Sequence, residues 1–194
     1  MRKGFTLTEL MVSVSLVALL AGLLLPVAAK ARSAALRARC TSQMRQLGLA
    51  FLSYASDSGG LLPHEDNGDG QPPYGCGWFE VLPAYLGGQE CRQCGGLSVN
   101  PSWRSVKMNS LLEEGAVDFL GLAEVGDASR TVLAFDGRVE NQGVRMLPKG
   151  DWDSAAPRHG AGTLCLFCDG GVRFVPARFD AAGWTDANGI LWRP

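Results

Sequence analysis

Residues 5–29 read FTLTELMVSVSLVALLAGLLLPVAA, an apolar run interrupted by one charge, Glu9. A helix rises 1.5 Å per residue, so about 20 apolar residues already cross a bilayer core. A chain of 194 residues has too little interior to surround such a helix on every side. Gly22 and Pro26 would weaken a soluble helix, but lipid tolerates them when the freed backbone groups find other partners. The run is therefore a membrane helix or a processed targeting segment.

Arg2 and Lys3 precede it, and Val27-Ala28-Ala29 or Ala29-Lys30-Ala31 would suit the cleavage site of a secretory signal. Glu9 argues against that reading. An ionised carboxylate within hydrocarbon is costly and marks a functional position, and it needs a cation in the same low-dielectric layer. Lys30, Arg32, Arg37 and Arg39 follow the run and outnumber Arg2 and Lys3. Charge alone would thus place the C-terminal body in the cytoplasm.

Beyond Pro26 the pattern becomes amphipathic. Leu36, Cys40, Met44, Leu47, Phe51 and Tyr54 recur at three- and four-residue intervals, a single apolar stripe. Asp57-Ser58-Gly59-Gly60 supplies turn chemistry that ends the helix. Continuous from Phe5, it would extend about 75–80 Å.

With 18 Lys+Arg against 19 Asp+Glu, the net charge is −1, which excludes a strongly basic nucleic-acid binder. Charged residues make up 19% and apolar ones 46%, which excludes a disordered chain. The 25 glycines and 10 prolines predict many turns and short strands.

Trp78–Leu86 is expected to form a short helix packing by its aromatics. Thr131–Phe135 reads as a strand leading into an Asp136-Gly137 turn, with Val144–Leu147 returning beside it. Thr163–Cys168, Asp169-Gly170-Gly171 and Val172–Val175 read as a hairpin, its Asp-Gly supplying the positive φ angles of a tight turn. The expected class is α+β: a long N-terminal helix, its first half transmembrane, packed against a small antiparallel sheet. Its segments are a leader at 1–4, an assembly helix at 5–29, its amphipathic continuation at 30–57, and a globular domain at 58–194.

Glu65, Asn67 and Asp69-Gly70 resemble the start of a calcium loop, but the position of the bidentate Glu is Cys76, so the match fails. The six cysteines stand at 40, 76, 91, 94, 165 and 168. Cys91-Arg92-Gln93-Cys94 has the form of a zinc knuckle. Cys165 and Cys168 lie three apart on a strand and so project to opposite faces, which makes a poor second pair. No metal site is assigned. A disulfide among Cys76, Cys91 and Cys94 is the alternative, though six cysteines allow 15 complete pairings. Cys40, on the apolar stripe, is read as core.

His159 and Asp169 meet only if the chain folds back, and no nucleophile completes a catalytic arrangement with them. A structural role is expected for both, Asp169 in the turn and His159 as a loop-fixing hydrogen bonder. No enzymatic activity and no cofactor are expected.

Lys3-Gly4-Phe5-Thr6-Leu7-Thr8-Glu9-Leu10 resembles the class III signal of type IV pilins and type II secretion pseudopilins. The resemblance implies cleavage after Gly4 by a prepilin peptidase and N-methylation of Phe5. It also implies pairing of Glu9 with the terminal cation of a neighbouring subunit, a cytoplasmic leader and an external body at the inner membrane. His159, nine intervening residues and Asp169-Gly170 match the H-X9-DG signature of a large pilin-like family, DUF1559. Residues 40–50, Lys107–Ser110 and Ser129–Gly137 are similar to that family too. The expected partners are the peptidase, other pilin-like subunits and the membrane, without nucleic acid. The rival readings are a non-polymerising anchored envelope protein and a secreted binding module with a zinc knuckle or disulfides.

Overall fold

The computed structural model describes residues 6–64, 77–88, 105–113, 121–138, 149–150, 154–159, 162–176 and 189–192. The chain divides into two compact units, 1–38 and 39–194. Helix α1 (Leu7–Asp57) supplies the described structure of the first and opens the second.

In the first unit α1 continues through Pro26, and every described side chain up to residue 35 is exposed. Ser13 and Ser15 return their hydroxyls to the carbonyls of Leu10 (2.9 Å) and Met11 (2.8 Å), so neither presents an unsatisfied donor among the leucines and valines. The helix is long and apolar enough to cross a membrane.

In the second unit α1 buries Cys40, Met44, Leu47, Gly48, Ala50, Phe51 and Ala55, close to the stripe read from the periodicity. It ends as the turn chemistry requires. Gly59 and Gly60 take φ of 68° and 93°, and the Gly60 N–H returns to the Ala55 carbonyl at 2.7 Å, satisfying an orphan helix acceptor.

Helix α2 (Trp78–Val81) tightens into a 3-10 segment over Leu82–Leu86, where Pro83 lacks the N–H that an α-helix would use. It packs by its aromatics as expected: Trp78 lies 6.0 Å from Phe51, and Tyr85 stands edge-on to Tyr54 at 5.9 Å.

The sheet contains β1 (Val106–Asn109), β2 (Val132–Asp136), β3 (Lys149–Gly150), β4 (Gly162–Phe167) and β5 (Val172–Pro176), in the order β3-β1-β2-β4-β5. Four strands are antiparallel to their neighbours, and β3 adds a short parallel edge to β1. The parallel edge follows from register: Asp136 at the end of β2 pairs with Val106 at the start of β1. A chain leaving there re-enters beside β1 in the same direction.

Residues 144–147 lie outside the described residues, and both flanks of β2 are occupied, by β1 and β4. Strand β1 escaped notice because Lys107 and Asn109 interrupt its apolar signal, yet both side chains are buried. A bulge between Val132 and Ala134 turns Leu133 and Ala134 toward the same cluster.

Two large buried clusters form on the sheet among the described residues, with a small third one at Cys40 and Leu164. Met44, Leu47 and Phe51 of α1 meet Val106, Met108, Leu133, Leu166 and Trp78. Val132, Phe135, Cys165, Phe167 and Val175 are covered instead by Ile190 and Trp192, whose indole stands edge-on to Phe135 at 5.0 Å. Each such buried aliphatic or aromatic side chain contributes about 1.5–3 kcal/mol.

Candidate functional site

Glu9 is the only acid in the first turn of α1. Its Oε2 accepts the Thr6 N–H at 2.9 Å and the Thr6 hydroxyl at 2.7 Å, while the Glu9 N–H donates to Thr6 Oγ1 at 3.3 Å. Thr6-Leu7-Thr8-Glu9 is thus a capping box, with two orphan helix donors satisfied reciprocally. Its Thr-x-x-Glu spacing is the signal by which the sequence shows it. Gly4 and Phe5 lie outside the described residues.

His159 and Asp169 do not meet. Six-residue β4 separates them, about 20 Å at 3.4 Å per residue. Asp169 occupies the β4–β5 turn, where its Oδ1 accepts the Gly171 N–H at 2.8 Å. The hairpin forms where expected, but Asp169 does not take the positive φ expected of Asp-Gly. Only Gly170 has positive φ (82°), its N–H bonding to the Phe167 carbonyl at 2.9 Å. The Phe167 N–H bonds to Gly171 O at 2.8 Å. This is a three-residue loop with a bulge at glycine, whose twist also suits the flanking strands.

The acid beside His159 is Asp136. Its carboxylate is 1% exposed; Oδ1 accepts from Arg158 Nε at 3.0 Å, and Oδ2 lies 3.8 Å from His159 Nε2. Arg158 also donates to the Gly137 carbonyl, and Thr163 Oγ1 donates to the Asp136 carbonyl at 2.7 Å. Burial pushes the Asp136 carboxyl up to about 6, against the opposing pull of Arg158 and a hydrogen bond from Ser105. Asp136-Gly137 is therefore not a hairpin turn. Asp136 ends β2, and Gly137 is required by crowding, because a Cβ there would stand 2.7 Å from Lys107 Cδ. Sequence reading missed this cluster, since Asp-Gly after an apolar run looks like a turn.

Cys40 is buried in a small apolar cluster with Leu164, as the stripe predicts, and is also disulfide-bonded, which the core reading did not include. Cys165 and Cys168 are free and buried, one in each core as strand alternation required. Burial, with the Asp169 charge nearby, raises the Cys168 thiol to about 12, so it is inert as a nucleophile. Cys76, Cys91 and Cys94 lie outside the described residues, as do 65–70 of the calcium-like loop. Among the described residues no group of three metal-ligating side chains converges.

An open groove of about 640 Å³ runs between α1 and the β4–β5 turn, lined by Arg45, Leu49, Ser129, Asp169, Gly170 and Arg173, among others. Arg173 is committed within the domain. It covers the Phe167 ring at 3.8 Å and donates to the Ser129 carbonyl.

Residues 1–25 match the prokaryotic N-terminal methylation motif, and residues 29–117 match the family described as protein of unknown function DUF1559. No curated protein and no solved structure matches the chain. The capping-box helix lies in the first match, and the buried stripe of α1 with strand β1 lies in the second. The chain is thus similar to a prokaryotic N-terminal methylation motif over its first residues and to DUF1559 over the stretch that follows, in keeping with the pilin-like resemblance of its sequence.

Proposed function

We propose that this protein is a pilin-like structural subunit without enzymatic activity, cut after Gly4, methylated on Phe5 and assembled through α1 into an envelope fibre or secretion pseudopilus. The observation that carries the reading is the methylation motif at residues 1–25, set on a helix whose described side chains up to residue 35 are exposed. In the bilayer, lipid covers that surface. In an assembly, neighbouring helices would cover it, and extraction from lipid becomes feasible because the same area is buried again.

Glu9 then passes between two partners. In the isolated subunit the Thr6 cap lessens the cost of holding a carboxylate in a low-dielectric layer. On assembly the amine of Phe5 on a neighbouring copy supplies the opposite charge and sets axial register. In this reading the leader is cytoplasmic and the body lies outside the inner membrane, against the orientation that the positive charge at Lys30, Arg32, Arg37 and Arg39 alone would favour.

Mass spectrometry of the mature N terminus tests the processing. Methyl-Phe5 supports it, whereas a chain beginning at Lys30 or Arg32 indicates a secreted module. In-cell crosslinking then separates polymer from anchored monomer. A ladder that disappears in Glu9→Val supports assembly, and an unchanged ladder rejects the Glu9 mechanism.

A further inference from the structure

The His159…Asp169-Gly170 spacing spans one structural unit. Nine residues intervene, six of them strand β4. The two ends of that strand make dissimilar contacts, and the open groove beside α1 lies at the Asp-Gly end.

We propose that the H-X9-DG spacing is a two-ended fastener, its Asp-Gly end seated on α1 at Gly48 and Leu52 and its histidine end closed over Asp136 of β2. Through it, β4 holds the sheet against the helix. The inference does not depend on whether the subunit polymerises.

At the Asp-Gly end the contact is backbone on helix. A Cβ at Gly48 would stand 2.7 Å from Leu166 Cδ1 and 3.3 Å from the Gly170 carbonyl oxygen. A Cβ at Gly170 would meet Leu52 Cδ1 at 3.0 Å, at a φ of 82° that disfavours any side chain. Gly170 is thus required by its φ, while a side chain at Gly48 would press on Leu166 and the Gly170 carbonyl. The turn is pinned from behind, with Cys168 and Asp169 each donating a backbone N–H, to the carbonyls of Thr131 and Ala128 respectively, both at 3.0 Å. Asp169 itself only shapes the turn, through its bond to the Gly171 N–H.

At the other end the His159 side chain is 6% exposed and lies against a carboxylate that is 1% exposed. Gly162, the first residue of β4, permits the close return of the chain, because a Cβ there would stand 2.2 Å from the Val175 carbonyl oxygen. With β4 held at fixed register against β2 and β5, movement at one end displaces the other. That rigid coupling explains a fixed spacing better than a catalytic pairing would, since the two ends stay a strand length apart.

The buried free thiols Cys165, within β4, and Cys168, in its turn, provide the test. The full-length chain in detergent micelles is exposed to iodoacetamide, and labelling is mapped by peptide mass spectrometry. Gly48→Ala and His159→Ala should each accelerate labelling of Cys168 about tenfold or more, with His159→Gln closer to the native rate. If a variant unfolds outright, His159→Gln is scored in its place and should show an intermediate acceleration. Native labelling rates in Gly48→Ala or His159→Ala would overturn the fastener. Native rates combined with lost assembly would instead make the spacing a recognition signal.

Discussion

Arg158 Nε donates to Asp136 Oδ1 at 3.0 Å across 22 positions of sequence, with the carboxylate 1% exposed and the guanidinium side chain 19%. The pair joins the end of β2 to the segment entering β4, and His159 closes its other side. An ion pair so placed is costly to form and costlier to break, because removing one partner strands the other without water.

Arg158→Met should therefore destabilise the domain by about 3 kcal/mol, while Asp136→Asn combined with Arg158→Met should cost less than the sum of the single changes. Urea unfolding of the four proteins measures this. Additive losses would show that the two groups do not interact.

The pH dependence has a definite sign. Asp136 holds its proton up to about 6 in the folded state, against an ordinary 3.8, so the folded protein binds that proton more tightly than the unfolded chain. Its contribution to stability is full below about pH 4 and is lost as pH rises through 6, about 3 kcal/mol over the window. Arg158, His159 and Ser105 face the carboxyl, and Lys107 lies against neighbouring Gly137. Stability measured from pH 7 down to pH 4 should rise less in Asp136→Asn than in the native chain. Parallel profiles would contradict the shift.

Asn109 is a buried junction. Its Nδ2 donates to the carbonyls of Val132 (2.8 Å) and Trp192 (2.7 Å), and its Oδ1 accepts the Leu111 N–H at 3.1 Å. Asn109→Ala leaves three backbone groups without these partners and should cost about 2–4 kcal/mol. Trp192 would loosen from Phe135, so tryptophan emission should shift to the red. An unchanged spectrum and stability would show that the C-terminal segment is held by its apolar contacts alone.

Cysteine chemistry separates cleanly by position. Cys165 and Cys168 should take up an alkylating reagent only after unfolding, and Cys40 only after reduction. Reduction should lower stability by about 2–4 kcal/mol, as expected for a native bridge in a small domain. Alkylation of Cys40 in the folded, unreduced protein would disprove its bond.

What could be read from the chain was whatever depends on neighbours in sequence. The apolar run at 5–29, the stripe from Cys40 to Phe51, the glycine stop after Asp57 and the strands flanking Asp169-Gly170 are all local patterns. Glu9 stood out for the same reason, as a charge in an uncharged window. The turn at Asp169-Gly170 was legible too, but not which of its residues takes positive φ, because more than one turn form accepts Asp-Gly and only the hydrogen bonds distinguish them.

The Asp136 cluster depended on distance in space. Asp136, Arg158 and His159 look like a turn residue and two loop residues until β2 and β4 pair and bring them together. The same holds for Asn109 and Trp192, 83 positions apart. Periodicity, breakers and a lone charge determined that this chain has a membrane-capable helix followed by an α+β body, since those signals act within a few residues. Tertiary structure alone decided which polar side chains are buried, and that His159 faces Asp136 rather than Asp169, because partners in a low-dielectric core are chosen by strand register and not by sequence spacing.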